Sequence, residues 1–172
     1  MLQNNNSYNI LNLFFKFPRK NFQLREISRL TKIALPSTKK YLEELSKNQL
    51  ILKNRETLYK SYNANLENKD FRLYKKFSTL ITLKDLVTEI ENKINPDAII
   101  IYGSASRGED IEDSDIDLFI IGKEKALNLN NFEKELNRKV HIIFENNIKS
   151  LSKEFLNNLI NGILLYGYLK VF

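Results

Sequence analysis

The chain has 172 residues, 42% of them apolar, and a formal net charge of +6, enough for one small and one medium domain with real cores. It contains no cysteine, which excludes disulfides and thiolate zinc sites and suits a reducing compartment. No apolar run is long enough to span a membrane, and the Asn-rich start, Met1 to Ser7, lacks the basic and apolar blocks of a signal peptide. A disordered tip, no membrane partner and a cytoplasmic location are therefore expected.

The charge is regional. Residues 1–66 carry 12 Lys and Arg against 4 Asp and Glu, residues 67–95 carry 6 against 5, and residues 96–172 carry 9 against 12. A basic first third points to a polyanion as its partner.

In chain order, Ile10, Leu11, Leu13, Phe14 and Phe17 recur at helical spacing and Pro18 ends that helix. Phe22 to Thr31 reads as a short helix with Leu24, Ile27 and Leu30 on one side. A turn at Lys32 to Leu35 precedes Pro36, well placed at a helix start, and Tyr41, Leu42 and Leu45 give the next helix its core face. Leu50 to Lys53 and Leu58 to Tyr62 read as two strands around a basic tip, Asn54 to Thr57. This stretch resembles the winged helix-turn-helix domains of prokaryotic transcription regulators. The resemblance implies that Ser37, Thr38, Lys39 and Lys40 start a recognition helix facing the major groove of double-stranded DNA, with Arg55 and Lys60 on backbone phosphates. The alternative is a module for dimerisation or protein docking.

Residues 67–95 contain neither Gly nor Pro and carry an apolar stripe, Leu80, Leu83, Val87, Ile90 and Ile94, which predicts a helical linker that needs a partner surface. Either the following sheet or a second copy would serve. Because winged helices reading two-fold sites usually dimerise, a homodimer is expected.

Residues 98–119 carry the chemistry. Ala98 to Tyr102 is an apolar run consistent with a buried strand, and Gly103 permits a tight turn where a side chain would block a ligand. A helix starting near Ser104 would offer free N–H groups and a hydroxyl to an anion, and Arg107 a charged fork to a phosphate oxygen or to a loop carboxylate. The run Glu109, Asp110, Glu112, Asp113 reads as a solvated loop. Asp115 and Asp117 then open a second apolar strand. Strand alternation turns both to one face, about 7 Å apart along the backbone, while Ile116 and Leu118 face the core. Two carboxylates so placed repel each other unless a divalent cation joins them, and Mg²⁺ favours a few carboxylates together with water and substrate phosphates.

The pattern Gly-Ser, ten residues, Asp-x-Asp, with Arg107-Gly108 in the spacer and Ser114 before the first aspartate, closely resembles the minimal nucleotidyltransferases of the DNA polymerase beta superfamily. The likeness extends over about residues 96–168, to the closing Gly162 to Gly167. It implies that Gly103, Ser104 and Arg107 hold the triphosphate of an NTP, with ATP the expected donor. It further implies that Asp115 and Asp117 bind Mg²⁺, or Mn²⁺ in its place, and that a third carboxylate on a neighbouring strand completes the site. That strand is Arg138 to Phe144, following a helix expected over about 126–137, and His141, the single histidine of the chain, occupies the carboxylate's place. A neutral imidazole can ligate a metal or accept a proton near pH 7, although Mg²⁺ favours oxygen ligands. Alternation puts Glu145 on the same side as His141, which makes it a substitute. The alternative leaves His141 a polar face residue with no catalytic role.

The expected fold is a two-domain α/β chain: a winged helix-turn-helix domain (α+β) over 1–66, a helical linker over 67–95, and a nucleotidyltransferase-fold mixed sheet with flanking helices over 96–172. Two function classes follow. One is a metal-dependent enzyme moving an NMP group from an NTP to a hydroxyl acceptor, linked to DNA binding and transcription regulation. Minimal nucleotidyltransferases often serve as antitoxins of toxin-antitoxin pairs, which brings in a HEPN-type toxin as partner. The other is a catalytically degenerate, nucleotide-sensing DNA-binding regulator.

Overall fold

The computed structural model describes residues 5–54 and 60–170. They fall into two compact units divided between Ser78 and Thr79.

The first unit opens with α1 (Asn6–Lys16), whose first turn is closed by Asn5, its side-chain oxygen accepting from the Ser7 N–H at 2.9 Å. Ile10, Leu11, Phe14 and Phe15 form its buried stripe, and the helix stops two residues before Pro18, as the restriction on pre-proline residues requires. A two-residue strand, β1 (Phe22–Gln23), leads into α2 (Leu24–Thr31). Lys32, in the left-handed region at φ 57°, turns the chain toward α3 (Leu35–Lys47), with Pro36 in the first turn. Strands β2 (Ile51–Asn54) and β3 (Ser61–Ala64) pair antiparallel, Asn54 opposite Ser61, and β1 joins the other edge of β3, giving the order β1-β3-β2. Phe14, Phe22, Ile27, Leu42 and Tyr62 share the core, with Phe14 and Phe22 edge to face at 5.4 Å. The start expected to be disordered, Met1 to Ser7, is helical in part, since Asn5 caps α1 and Asn6 and Ser7 lie in its first turn; residues 1–4, and 55–59, expected as most of the basic turn and the start of its second strand, lie outside the described residues.

The segment expected as a helical linker is α4 (Lys69–Ile94). Its Phe71 is buried in the first core, and Leu83, Leu86, Ile90 and Ile94 are buried in a second core against the larger sheet. That sheet comprises β4 (Ala98–Tyr102), β5 (Ile116–Ile121), β6 (Val140–Glu145) and β7 (Ile163–Gly167) in the order β6-β5-β4-β7. β4 pairs antiparallel with β5 and β7, and β5 pairs parallel with β6, so the sheet is mixed. The intervening helices are α5 (Gly103–Arg107), α6 (Asn130–Leu136) and α7 (Lys153–Ile160). The helix expected over 126–137 starts later because the Asn128 side chain accepts from the Asn130 N–H at 3.2 Å, which caps a turn instead of extending the helix. Leu127 and Leu129 still pack on the core.

Both faces of the central strands are covered, and alternation sorts their side chains. Ile99, Ile101, Ile116, Leu118 and Ile120 belong to the core shared with α4. Ala98, Ile100, Tyr102, Phe119 and Ile121 belong to the opposite core, where Leu159 of α7 is buried and Phe155 is partly buried. Phe119 is fully buried there, edge to face with Phe155 at 5.7 Å. Phe119→Ala is expected to lower the unfolding free energy by about 3–5 kcal/mol, measured by urea denaturation followed by circular dichroism.

Candidate active site

The site is assembled where β4 ends and β5 begins. Tyr102 is the last residue of β4, in extended conformation, and Gly103 at φ 71° turns the chain directly into α5. Here glycine is required twice over. Its φ is one that L side chains rarely adopt, and a Cβ at this position would lie 2.7 Å from Asp117 Oδ2. The Gly103 backbone therefore approaches the Asp117 carboxylate as closely as atoms allow. Ser104 is half-buried beside it. The turn of α5 is tied internally, the Ser106 hydroxyl donating to the Gly103 carbonyl at 2.8 Å and the Glu109 N–H to the Ser104 carbonyl at 3.0 Å.

Asp117 lies on the strand face of Phe119 and Ile121, opposite Tyr102 in the β4–β5 ladder and beside His141 in the parallel β5–β6 ladder. Its side chain is 30% exposed, and its Oδ1 is 3.5 Å from His141 Nδ1. Asp115 is exposed and lies one residue before β5, so it stands just outside the strand it was expected to open. Thus Gly103, Ser104, Asp115, Asp117 and His141 come together at one end of the sheet. Arg107 is also at this end, but its Nε donates to Glu109 Oε2 at 2.7 Å, so its nearest anion is the loop carboxylate. Among the described residues no group of three or more His, Cys, Asp or Glu side chains is arranged to hold a metal ion. The protein's own contribution is a carboxylate pair, which fits a cation that takes its remaining ligands from water and phosphate. The open approach kept by the missing Cβ of Gly103 fits the same group.

Three expected positions need correction. Glu145 pairs with Ile121 at the far end of β5, four residues beyond His141 and so about 13 Å from it along the strand. It shares His141's face and cannot share its site. Asp110 is no solvated acid: only 3% exposed, it pairs with Arg138, whose Nε lies 3.5 Å from Asp110 Oδ2. Thr38 is fully buried, its hydroxyl 3.1 Å from both the Ile33 and Ala34 carbonyls, so it is unavailable to a groove. Of the other residues expected on DNA, Lys39, Lys40 and Lys60 are exposed, Ser37 is half-exposed, and Arg55 lies outside the described residues.

Sequence reasoning also missed an open cleft of about 600 Å³ on the far side of Asp115, lined among others by Asn130, Glu133, Lys134, Asn137 and Lys139. Its walls come from the spacer, α6 and the start of β6, and no local pattern announces that convergence. Glu133 organises one wall. Its carboxylate accepts from Lys139 Nζ at 2.9 Å and from the Val140 N–H at 3.1 Å, and the Lys139 bond foremost holds the acid below its ordinary range.

Residues 84–169, half of the chain, match the family described as polymerase beta, nucleotidyltransferase. No curated protein matches the chain.

Burial, reinforced by the Asp117 charge, pushes the Tyr102 phenol up from 10.0 to about 12. Folding therefore favours the neutral phenol. The resulting stability is present in full below pH 10 and is lost as the pH rises from 10 through 12. Tyr102→Phe is expected to flatten the alkaline fall in stability across that window and to remove a late-ionising phenol from an ultraviolet titration.

Proposed function

Because the chain belongs to the polymerase beta nucleotidyltransferase family, we propose that it transfers an NMP group from an NTP, with ATP the expected donor, to a hydroxyl acceptor at the Asp115 and Asp117 site. The observation that carries this reading is the Asp117 carboxylate on β5 with the Gly103 backbone against it, and a second carboxylate, Asp115, just ahead of the strand. Asp115 and Asp117 are the residues that would hold Mg²⁺, or Mn²⁺ in its place. When bound, the cation supplies charge neutralisation for the triphosphate and polarisation of the reacting phosphoryl group.

The chain's own residues do the rest. Gly103 leaves room for a phosphate against the backbone, and Ser104 offers a hydroxyl donor. Arg107 can exchange Glu109 for a phosphate oxygen, since guanidinium forks bind both. The acceptor oxygen attacks the α phosphorus, the bond to the β-phosphate oxygen breaks, and pyrophosphate leaves. The hydroxyl proton needs a base, and His141 is the neighbouring imidazole. In this reading His141 orients Asp117 or takes that proton, and Glu145 has no part. The 600 Å³ cleft beside Asp115 is where the acceptor would enter.

The first unit is read as a winged helix-turn-helix domain. Three helices followed by an antiparallel sheet, exposed Lys39 and Lys40 on α3, and the basic balance of residues 1–66 support a double-stranded DNA partner. The combination fits an antitoxin that regulates transcription, with a HEPN-type toxin as its partner and a homodimer as its DNA-bound form. A second reading, a nucleotide-sensing DNA-binding regulator without turnover, is favoured by one observation: the residue beside Asp117 on β6 is an imidazole, at the position where the resemblance implies a third carboxylate.

Isothermal titration should show ATP binding that depends on Mg²⁺ and is abolished by Asp115→Ala with Asp117→Ala. Binding that survives the double substitution, or no binding by the unaltered chain, sinks the nucleotide reading. Release of labelled pyrophosphate then separates the enzyme from the sensor. For the DNA half, fluorescence anisotropy with duplex DNA should give an affinity that falls steeply with salt, as phosphate contacts demand. Lys39→Ala with Lys40→Ala should weaken binding and shallow the salt slope by about 2 on a logarithmic plot. A salt-independent signal would favour protein docking instead.

A further inference from the structure

The geometry assigns Arg138 and Asp110 a positioning role in the nucleotide site: their buried pair anchors the spacer that joins the Gly103-Ser104 turn to Asp115 and Asp117 onto the strand that carries His141. The assignment rests on the nucleotide-binding reading given above and adds to it two residues that act through the spacer and β6.

Beyond α5 the spacer runs from Gly108 to Ser114, and short local bonds shape both of its ends. At its start the Glu109 N–H donates to the Ser104 carbonyl. Near its end Ser114 and Ile111 close a small turn, the Ser114 N–H donating to the Ile111 carbonyl at 3.0 Å and the Ile111 N–H to the Ser114 hydroxyl at 2.9 Å. Neither bond reaches beyond the spacer and α5. Asp110, between them, reaches Arg138, 28 positions later in the chain, and the two side chains are only 4% and 2% exposed. The guanidinium is anchored in turn, its Nη1 donating to the Asn137 carbonyl at 2.8 Å. Three residues after Arg138, β6 presents His141 to Asp117, and the Ile116 N–H donates to the Lys139 carbonyl at 2.8 Å. The pair thus joins both halves of the motif to the start of β6.

Energetics favour positioning over net stability as its purpose. Removing two charges from water costs about as much as their attraction returns, so a buried ion pair is weak evidence for stabilisation. Desolvation is accordingly the largest influence on Arg138, lowering its pKa, with the charges of Asp110, Glu112 and Asp113 opposing it. An apolar pair of similar volume would fill the same space at lower cost, but it would supply no charge attraction between the spacer and the start of β6.

The test replaces the pair while sparing the fold. Asp110→Leu with Arg138→Met removes both charges together, so neither is left buried alone. This double variant is expected to melt at or above the temperature of the unaltered protein and to bind Mg²⁺-ATP at least about tenfold more weakly, the usual scale for losing a group that orients a metal ligand. Equal melting with Mg²⁺-ATP affinity within about twofold, below that scale, overturns the assignment. If the double variant does not fold, Arg138→Lys decides, because it keeps the buried charge and loses the planar fork. A loss of about threefold or more supports positioning, and unchanged affinity overturns it. Failure of the unaltered chain to bind Mg²⁺-ATP removes the reading beneath the assignment, and the assignment with it.

Discussion

The register of β5 between β4 and β6 is the constraint on which the rest of the site depends. β5 is buried on both faces, Ile116, Leu118 and Ile120 against the core of α4 and Phe119 and Ile121 against that of α7. A slip by one residue would exchange the two sets and carry Asp115 and Asp117 with them. Large apolar side chains on both sides make that slip costly. The Asp117 carboxylate is consequently delivered to one place, across from Tyr102 and beside His141, by packing in which it takes no part. Gly103 completes the arrangement, because only a residue without Cβ can turn the chain so near that carboxylate.

How much of this was legible in the sequence depends on how local the cause is. The place of His141 beside Asp117 followed from the family resemblance and agrees with the parallel register of β5 and β6, whereas alternation, a property of one segment alone, could not relate two strands. Thr38 could have been read correctly from period instead of polarity. It precedes Leu42 by four residues and Leu45 by seven, which places it on the buried stripe of α3, and its hydroxyl is satisfied by the carbonyls of the preceding turn. Glu145 shows the converse error. A shared face says nothing about distance, and each residue of a strand adds about 3.3 Å. Asp110 was beyond reach by local reasoning. Its neighbours Glu109, Glu112 and Asp113 have the same composition, and what singles it out is Arg138, brought alongside by the sheet.

The two units also divide the work of charge. The basic excess lies in residues 1–66 and the acidic excess in residues 96–172. An acidic surface repels phosphates unless positive charge is supplied locally, so a carboxylate pair that receives a triphosphate depends on a cation for binding as well as for chemistry. The basic unit needs no such help, since exposed lysines meet a phosphate backbone directly. The proposed function thus gives one chain two polyanions approached by two independent mechanisms, one tuned by divalent cation and the other by bulk salt.

The histidine beside Asp117 changes the balance of that site in a definable way. A third carboxylate would add a further negative charge next to Asp115 and Asp117, and more of the repulsion would have to be neutralised by cations. Imidazole removes that charge and offers a softer ligand, which Mg²⁺ accepts poorly. Retention of one cation on the pair is thus less affected than recruitment of a second one near the acceptor. In the proposed function, phosphate binding draws on the first and hydroxyl activation on the second. In the proposed function, activation is the step at which His141 has to take the place of a carboxylate.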